Sequence, residues 1–239
     1  MSTPELRRAE LRDNLAVVRS RLDAACASAG RQPNEVTLIA VTKFFPAADA
    51  VLLAELGVTN LGESRDQEAA AKVAEFAALT NARPRWHFIG RLQTNKARSV
   101  ARYADLVHSV DRADLVGALA DGTHKAGRER LDVLAQVSLD ADPARGGTAT
   151  ADLLQLADAI AEQDALRLAG VMAIAPIDSD PDQAYALLAE CADAVRAAHP
   201  DAVVISAGMS DDLEAAIRHG ATHVRIGTAL LGRRATTFG

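Results

Sequence analysis

Lys43 stands where it could do covalent chemistry. It follows "TLIAV" (37–41), a β-branched and apolar run that reads as a buried strand, and it precedes Phe44, Phe45 and Pro46. Lysine is scarce: of 26 basic residues only Lys43, Lys72, Lys96 and Lys125 are lysines, and the rest are arginines. A guanidinium keeps its proton and forms no imine, whereas an amine drawn out of water is a nucleophile that condenses with carbonyls. A lysine at a strand end can also simply snorkel into solvent, so its meaning depends on its neighbours. Two further segments could hold an anion. "SAGMSDDLEAAI" (206–217) and "RIGTALLG" (225–232) each place glycine and Ser/Thr between an apolar run and a helical pattern. Glycine lets backbone N–H groups approach an anion, hydroxyls add donors, and a helix N-terminus favours negative charge. The same glycines also serve plain left-handed turns, and spacing alone leaves both readings open.

The elements that must position these residues alternate along the chain. Leu11, Leu15, Val18 and Leu22 recur at helical spacing, which predicts a helix from about Thr3 to Ala29 with Gly30 as its stop. Strand-like runs follow at 36–42, 58–63, 85–90, 104–110, 131–139, 166–174, 202–208 and 222–227. Helical patterns lie between them at 47–56, 65–79, 94–103, 112–126, 148–163, 181–198 and 211–219. Eight such repeats predict a single (β/α)8 TIM-type barrel over 1–239, with 1–30 as an extra N-terminal helix packed on it. The competing open sheet for a dinucleotide lacks its G-x-G-x-x-G turn.

Composition narrows the class. With 239 residues, 49% hydrophobic and 24% charged, the chain is globular, and its net charge of −6 argues against nucleic acid as a partner. Cys26 and Cys191 stand alone without metal-type spacing, which reads as free thiols in a reducing compartment. The N-terminus has no signal-peptide core and no apolar run reaches membrane length, so a cytoplasmic protein without a membrane partner is expected. The basic stretches "GRERLD" and "LGRRATTFG", like Lys96, read as solvated surface, and Trp86 and the phenylalanines as core.

A barrel puts its active face at the C-terminal ends of its strands. Strand by strand, that face receives Lys43; Glu63 and Ser64; His87 and Gly90; His108; Met172; Ser206, Gly208 and Ser210; and Arg225, Gly227 and Thr228. Ser210 reads as the N-cap of the helix after the seventh strand. Barrels commonly seat phosphate in the loops after strands seven and eight. A lysine at an apolar mouth, partly removed from water, together with a phosphate seat points to a phosphorylated aldehyde, and pyridoxal 5′-phosphate (PLP) fits.

At this point the chain resembles a known family, the PLP homeostasis proteins, single barrels similar to the N-terminal domain of alanine racemase. The matching segments are "AVTKFFP", "LGESRDQEA", "WHFIGRLQTNKAR", "HSVDR", "GVMAIAP", "SAGMSDDLEAAI" and "VRIGTALLG". The resemblance implies that Lys43 carries PLP as an internal aldimine. It implies that Ser210, Gly227 and Thr228 hold the phosphate with help from Ser206 and Gly208, and that Arg225 faces the pyridine nitrogen. Ser64, His87 and Met172 complete the implied cofactor-binding set. Two residues depart from the family pattern: Ser64 stands where asparagine is usual, and Ala207 where methionine is usual.

The resemblance implies reversible PLP binding and transient delivery to apo-enzymes, with effects on amino-acid and keto-acid balance, rather than strong catalysis. Alanine racemase needs a further domain that supplies a tyrosine base, and this chain is expected to lack it and to be a monomer. Tyr103 and Tyr185 fall in predicted helices, and His87 and His108 read as hydrogen-bonded core residues rather than a second base. Two alternatives stand beside this reading: a low-activity PLP-dependent amino-acid racemase, and a cofactor-free Schiff-base lyase using Lys43.

Overall fold

The computed structural model describes residues 4–140, 145–176 and 178–232. Thr3 and the basic pair Arg233 and Arg234 lie outside them. The chain enters through α1 (Pro4–Ser28) and then alternates: β1 (Thr37–Val41), α2 (Ala47–Glu55), β2 (Asn60–Glu63), α3 (Asp66–Leu79), β3 (Arg85–Phe88), α4 (Ala97–Tyr103), β4 (Leu106–Val110) and α5 (Ala113–Lys125). The second half continues with β5 (Leu131–Gln136), α6 (Leu153–Ala161), β6 (Leu166–Met172), α7 (Pro181–Ala198), β7 (Val204–Ser206), α8 (Leu213–Arg218), β8 (His223–Ile226) and α9 (Thr228–Leu231). The eight strands form a closed barrel in sequence order, each parallel to its neighbours, and β1 closes on β8 with Ile39 opposite Arg225.

The strands are nearly continuous apolar runs because both of their faces are covered. The outer layer packs on the helices: Val107, Val133 and Val171 join Leu115, Leu119, Leu156, Leu188 and Val195 in one cluster. The α1 stripe of Leu11, Leu15, Val18 and Leu22 covers the β1, β2 and β8 side through Ala40, Leu61, Val224 and Ile226. Polar contacts fix the angle of this helix. Arg31 Nη1 donates to Ile217 O at 3.1 Å and Ala221 O at 2.7 Å at the end of α8. Asn14 Nδ2 reaches Leu230 O at 3.0 Å and Arg7 Nη2 reaches Leu231 O at 3.1 Å, so α1 holds two of the terminal carbonyls of α9. Among the described residues, no helix is long and apolar enough to cross a membrane.

Candidate functional site

Lys43 sits just past the rim of β1. Val41 and Thr42 are buried, but the turn that follows carries Lys43 out of the barrel wall, and its side chain is exposed rather than partly removed from water as expected. The next residue, Phe44, has φ 69°, a left-handed conformation rare for a bulky side chain. Its ring is 40% exposed, so it is not core, and it meets two cations: Arg65 Cζ at 4.7 Å and Lys43 Nζ at 5.9 Å from its centroid. Thr42 O anchors the turn by accepting from Phe45 N at 3.1 Å and from Lys72 Nζ at 2.6 Å.

Lys72 belongs to a buried cluster beneath Lys43. Its ammonium pairs with Glu63 Oε1, which also accepts from Thr42 Oγ1 at 2.6 Å. Glu63 is 1% exposed, Lys72 6%, and Glu63 Oε2 has no hydrogen-bond partner. In sequence Lys72 reads as a lysine on a helix. Its rarity in an arginine-rich chain was the available signal, and it applies to Lys43 and Lys72 alike.

The barrel interior carries a chain of polar contacts across five strands. Asn60 Oδ1 lies 2.9 Å from His87 Nε2, His87 Nδ1 lies 2.9 Å from His108 Nε2, and His108 Nδ1 lies 2.9 Å from Ser206 Oγ. Arg225 Nη1 donates to Ser206 Oγ at 2.7 Å and Nη2 to Ala173 O at 2.9 Å. Burial holds both imidazoles neutral: His87 is pushed down to about 3, helped by His223 and Arg85, and His108 well below its ordinary range, helped by His87 and Arg225. Burial also lowers Arg225, against the opposing pull of Tyr185 and Asp212. These contacts make His87 and His108 hydrogen-bonded core residues, as their sequence reading expected. Both ring nitrogens of His87 are occupied, and Ser206, 0% exposed, turns its hydroxyl into the barrel rather than toward the loops. Met172 packs with Leu106, Leu134 and Ala169 in the interior and offers an apolar surface only.

The loops after β7 and β8 are shaped as tight turns. Gly208 takes φ +88°, and a Cβ there would stand 2.7 Å from Ala216 Cβ, so the turn admits glycine alone. Its carbonyl accepts from Arg225 N at 2.9 Å, tying the turn to β8. Ser210 is not an N-cap. Asp212 fills that position, and its Oδ1 accepts from Met209 N at 2.6 Å, while Ser210 O is held by Arg21 of α1. The shorter α8 follows from this Asp-centred turn, which uses residues the sequence pattern assigned to the helix. Gly227 leads into Thr228, the exposed first residue of α9, and a Cβ at Gly227 would lie 3.5 Å from Val41 Cβ. The β8 turn therefore abuts the strand that carries Lys43.

Ser64 is half-buried where β2 meets β3. A Cβ on Gly90 would stand 2.0 Å from Ser64 O, so the two strand ends touch through backbone. A pocket of about 420 Å³ opens beside it, edged by Arg65, Arg91, Gln93 and Lys96 over Phe88 and Leu92. Lys96, read from sequence as helix surface, ends a single 3₁₀ turn on this rim. Both tyrosines are engaged elsewhere. Tyr185 O–H donates to Asp212 Oδ2 at 2.6 Å and Tyr103 O–H to Asp66 Oδ1 at 3.5 Å. Burial and then those carboxylates push both phenols up.

These features define a class: an eight-stranded parallel barrel with an exposed amine at the end of β1, a glycine turn from β8 beside it, and a guanidinium within. The family described as "Alanine racemase, N-terminal domain" matches residues 7–235. The pyridoxal phosphate homeostasis protein of Mycobacterium bovis is 47% identical over 244 residues, covering 95% of this chain and 94% of that one. Its counterpart in Escherichia coli K12 is 39% identical over 228 residues, covering 94% and 97%. The structure of PipY from Synechococcus elongatus with PLP bound superposes with TM-score 0.81 at 32% identity, over 93% of this chain and 100% of that one. Alanine racemase from Corynebacterium glutamicum shares the fold with TM-score 0.67 at 14% identity, and the match spans 60% of that chain. This chain belongs to the pyridoxal phosphate homeostasis protein family.

Proposed function

We propose that this protein binds PLP reversibly in the cytoplasm, covalently through Lys43, and releases it to apo-enzymes as a monomer, without strong catalysis of its own. The observation that carries the reading is the adjacency of two chemistries: the Lys43 amine at the end of β1 and the Gly227–Thr228 turn packed on the same strand. The donor set fits the cofactor. PLP supplies an aldehyde carbon that a primary amine attacks. Gly227, Thr228 and Ser210 offer a short helix start and hydroxyls for its phosphate, and Gly208 shapes the turn after β7. Ser64 and the apolar side of Met172 border the ring. Arg225 keeps its proton, so a ring nitrogen facing it stays unprotonated and draws electrons poorly.

The same residues support a carrier over a racemase. Racemisation needs a proton-transfer group on each face of the substrate. Lys43 serves one face. His87 and His108 are neutral, buried and saturated with hydrogen bonds, and the hydroxyls of Tyr103 and Tyr185 are committed to carboxylates.

The experiment is a PLP titration of the purified protein. Wild type develops an absorbance at roughly 420 nm, borohydride fixes the label on Lys43, and Lys43→Ala shows neither. A wild-type protein without that band after PLP addition overturns the reading. Alanine turnover well above that of free PLP, lost in Lys43→Ala, replaces the carrier with an enzyme.

A further inference from the structure

The polar chain inside the barrel has a direction. Arg225 can only donate, so Ser206 Oγ accepts from it. Ser206 is 0% exposed, and its one hydroxyl hydrogen has a single remaining partner, His108 Nδ1. His108 Nδ1 is then an acceptor, and the proton of that neutral ring sits on Nε2, 2.9 Å from His87 Nδ1. His87 accepts there and donates from Nε2 to Asn60 Oδ1 at 2.9 Å. The Asn60 amide agrees with this polarity, since its Nδ2 donates to Thr59 Oγ1 at 3.0 Å. Run in reverse, the chain would turn two donors on Ser206 Oγ and leave the hydroxyl hydrogen buried without a partner, at the cost of desolvating it.

Both ends of the chain are groups that do not titrate, a guanidinium and an amide. Such a chain holds protons in place and does not conduct them. Its output is the lone pair of Ser206 kept facing Arg225. We propose that His108 is a positioning residue: acting through Ser206, with His87 and Asn60 behind it, it fixes the Arg225 guanidinium in the orientation that receives PLP. The proposal rests on the reading that Arg225 meets the ring nitrogen.

Two measurements test it. Nitrogen-15 NMR of the unliganded wild type reads the tautomers directly, and the expected result is an Nε2–H proton on both His87 and His108. An Nδ1–H form of either ring overturns the proposal, whatever the behaviour toward PLP. The second is PLP affinity in paired variants. His108→Leu removes the acceptor and is expected to weaken PLP binding roughly tenfold, the effect of leaving a charged donor's partner misdirected. His108→Gln, which can accept at one end and donate at the other, is expected to stay within about threefold of wild type. Arg225→Leu should weaken PLP at least as much as His108→Leu. A His108→Leu protein that binds as wild type does, beside a weakened Arg225→Leu, overturns the positioning role and leaves the cofactor reading intact. Arg225→Leu without effect on PLP overturns the reading of Arg225 and the proposal with it. If His108→Leu does not fold, the tautomers of wild type and of Ser206→Ala decide. Ser206→Ala is expected to free His108 into a mixture of tautomers, and an unchanged His108 there counts against the chain.

Discussion

The buried histidines should make this protein sensitive to mild acid. In the fold His87 is held down to about 3 and His223 to about 4, both chiefly by burial, and His108 is lowered in the same way. In the unfolded chain all three titrate near the ordinary 6.5. Above that value both states are neutral and the stability is fully present. Below it the unfolded chain takes up protons that the fold refuses, so stability falls as pH drops from 6.5 toward the folded values. Going to about pH 5 carries His87 and His223 roughly 1.5 pH units into that window, at about 1.36 kcal/mol per unit, or about 2 kcal/mol each. His87 and His223 together lose about 4 kcal/mol, and His108 acts in the same direction, against a typical domain stability of about 5–15 kcal/mol. Carboxylates do not mask the effect: Asp182 and Glu214 are lowered by Arg218 and Arg21 respectively, and their contributions are lost only below their ordinary carboxylate values. The assay is urea unfolding at about pH 7, 6 and 5, with His223→Gln as control, which should flatten the slope by about one proton. Unfolding free energy constant to within about 0.5 kcal/mol across that range would refute the neutral, desolvated histidine cluster.

Two structural predictions accompany the PLP titration and the tautomer test. Lys72→Met removes the ammonium partner of the 1% exposed Glu63 and should cost about 3–5 kcal/mol in urea unfolding. The double variant Lys72→Met with Glu63→Leu should recover most of that loss, and failure to recover would mean that the pair is net stabilising. Gly90→Ala forces a methyl to 2.0 Å from Ser64 O and should cost about 3 kcal/mol and move Ser64 away from the site. Wild-type melting of that variant would show that the β2 and β3 ends do not touch.

All eight strands were legible in the sequence, because strands covered on both faces read as apolar runs and helical segments separate them. Lys43 and the Gly227–Thr228 turn were legible for the same reason: they mark where runs stop. Side-chain direction was not. In a barrel strand one face meets the helices and the other the interior, both are dry, and the pattern does not say which one Ser206 or His87 takes. Pairs from distant segments were equally hidden. Glu63 and Lys72 meet because α3 folds back over β2, and the helix starts after Asp212 rather than Ser210, with the Asp212 side chain accepting from Met209 N in the preceding turn. The exposure of Lys43 turned on a turn residue, Phe44, whose left-handed backbone no pattern announces.

That turn bears on the thermodynamics of exchange. A left-handed phenylalanine stores about 1–2 kcal/mol of strain, met when the chain folds rather than when anything binds. With Thr42 O held by Phe45 N and Lys72 Nζ, the backbone carrying Lys43 is ordered beforehand. On the role proposed for Lys43, capture of PLP would freeze only its side-chain torsions, about 2 kcal/mol of entropy, and spare the further 1–2 kcal/mol or so per residue that ordering a loop would cost. Preorganisation of this kind would let the proposed carrier hold its cargo at little conformational cost and still let it go.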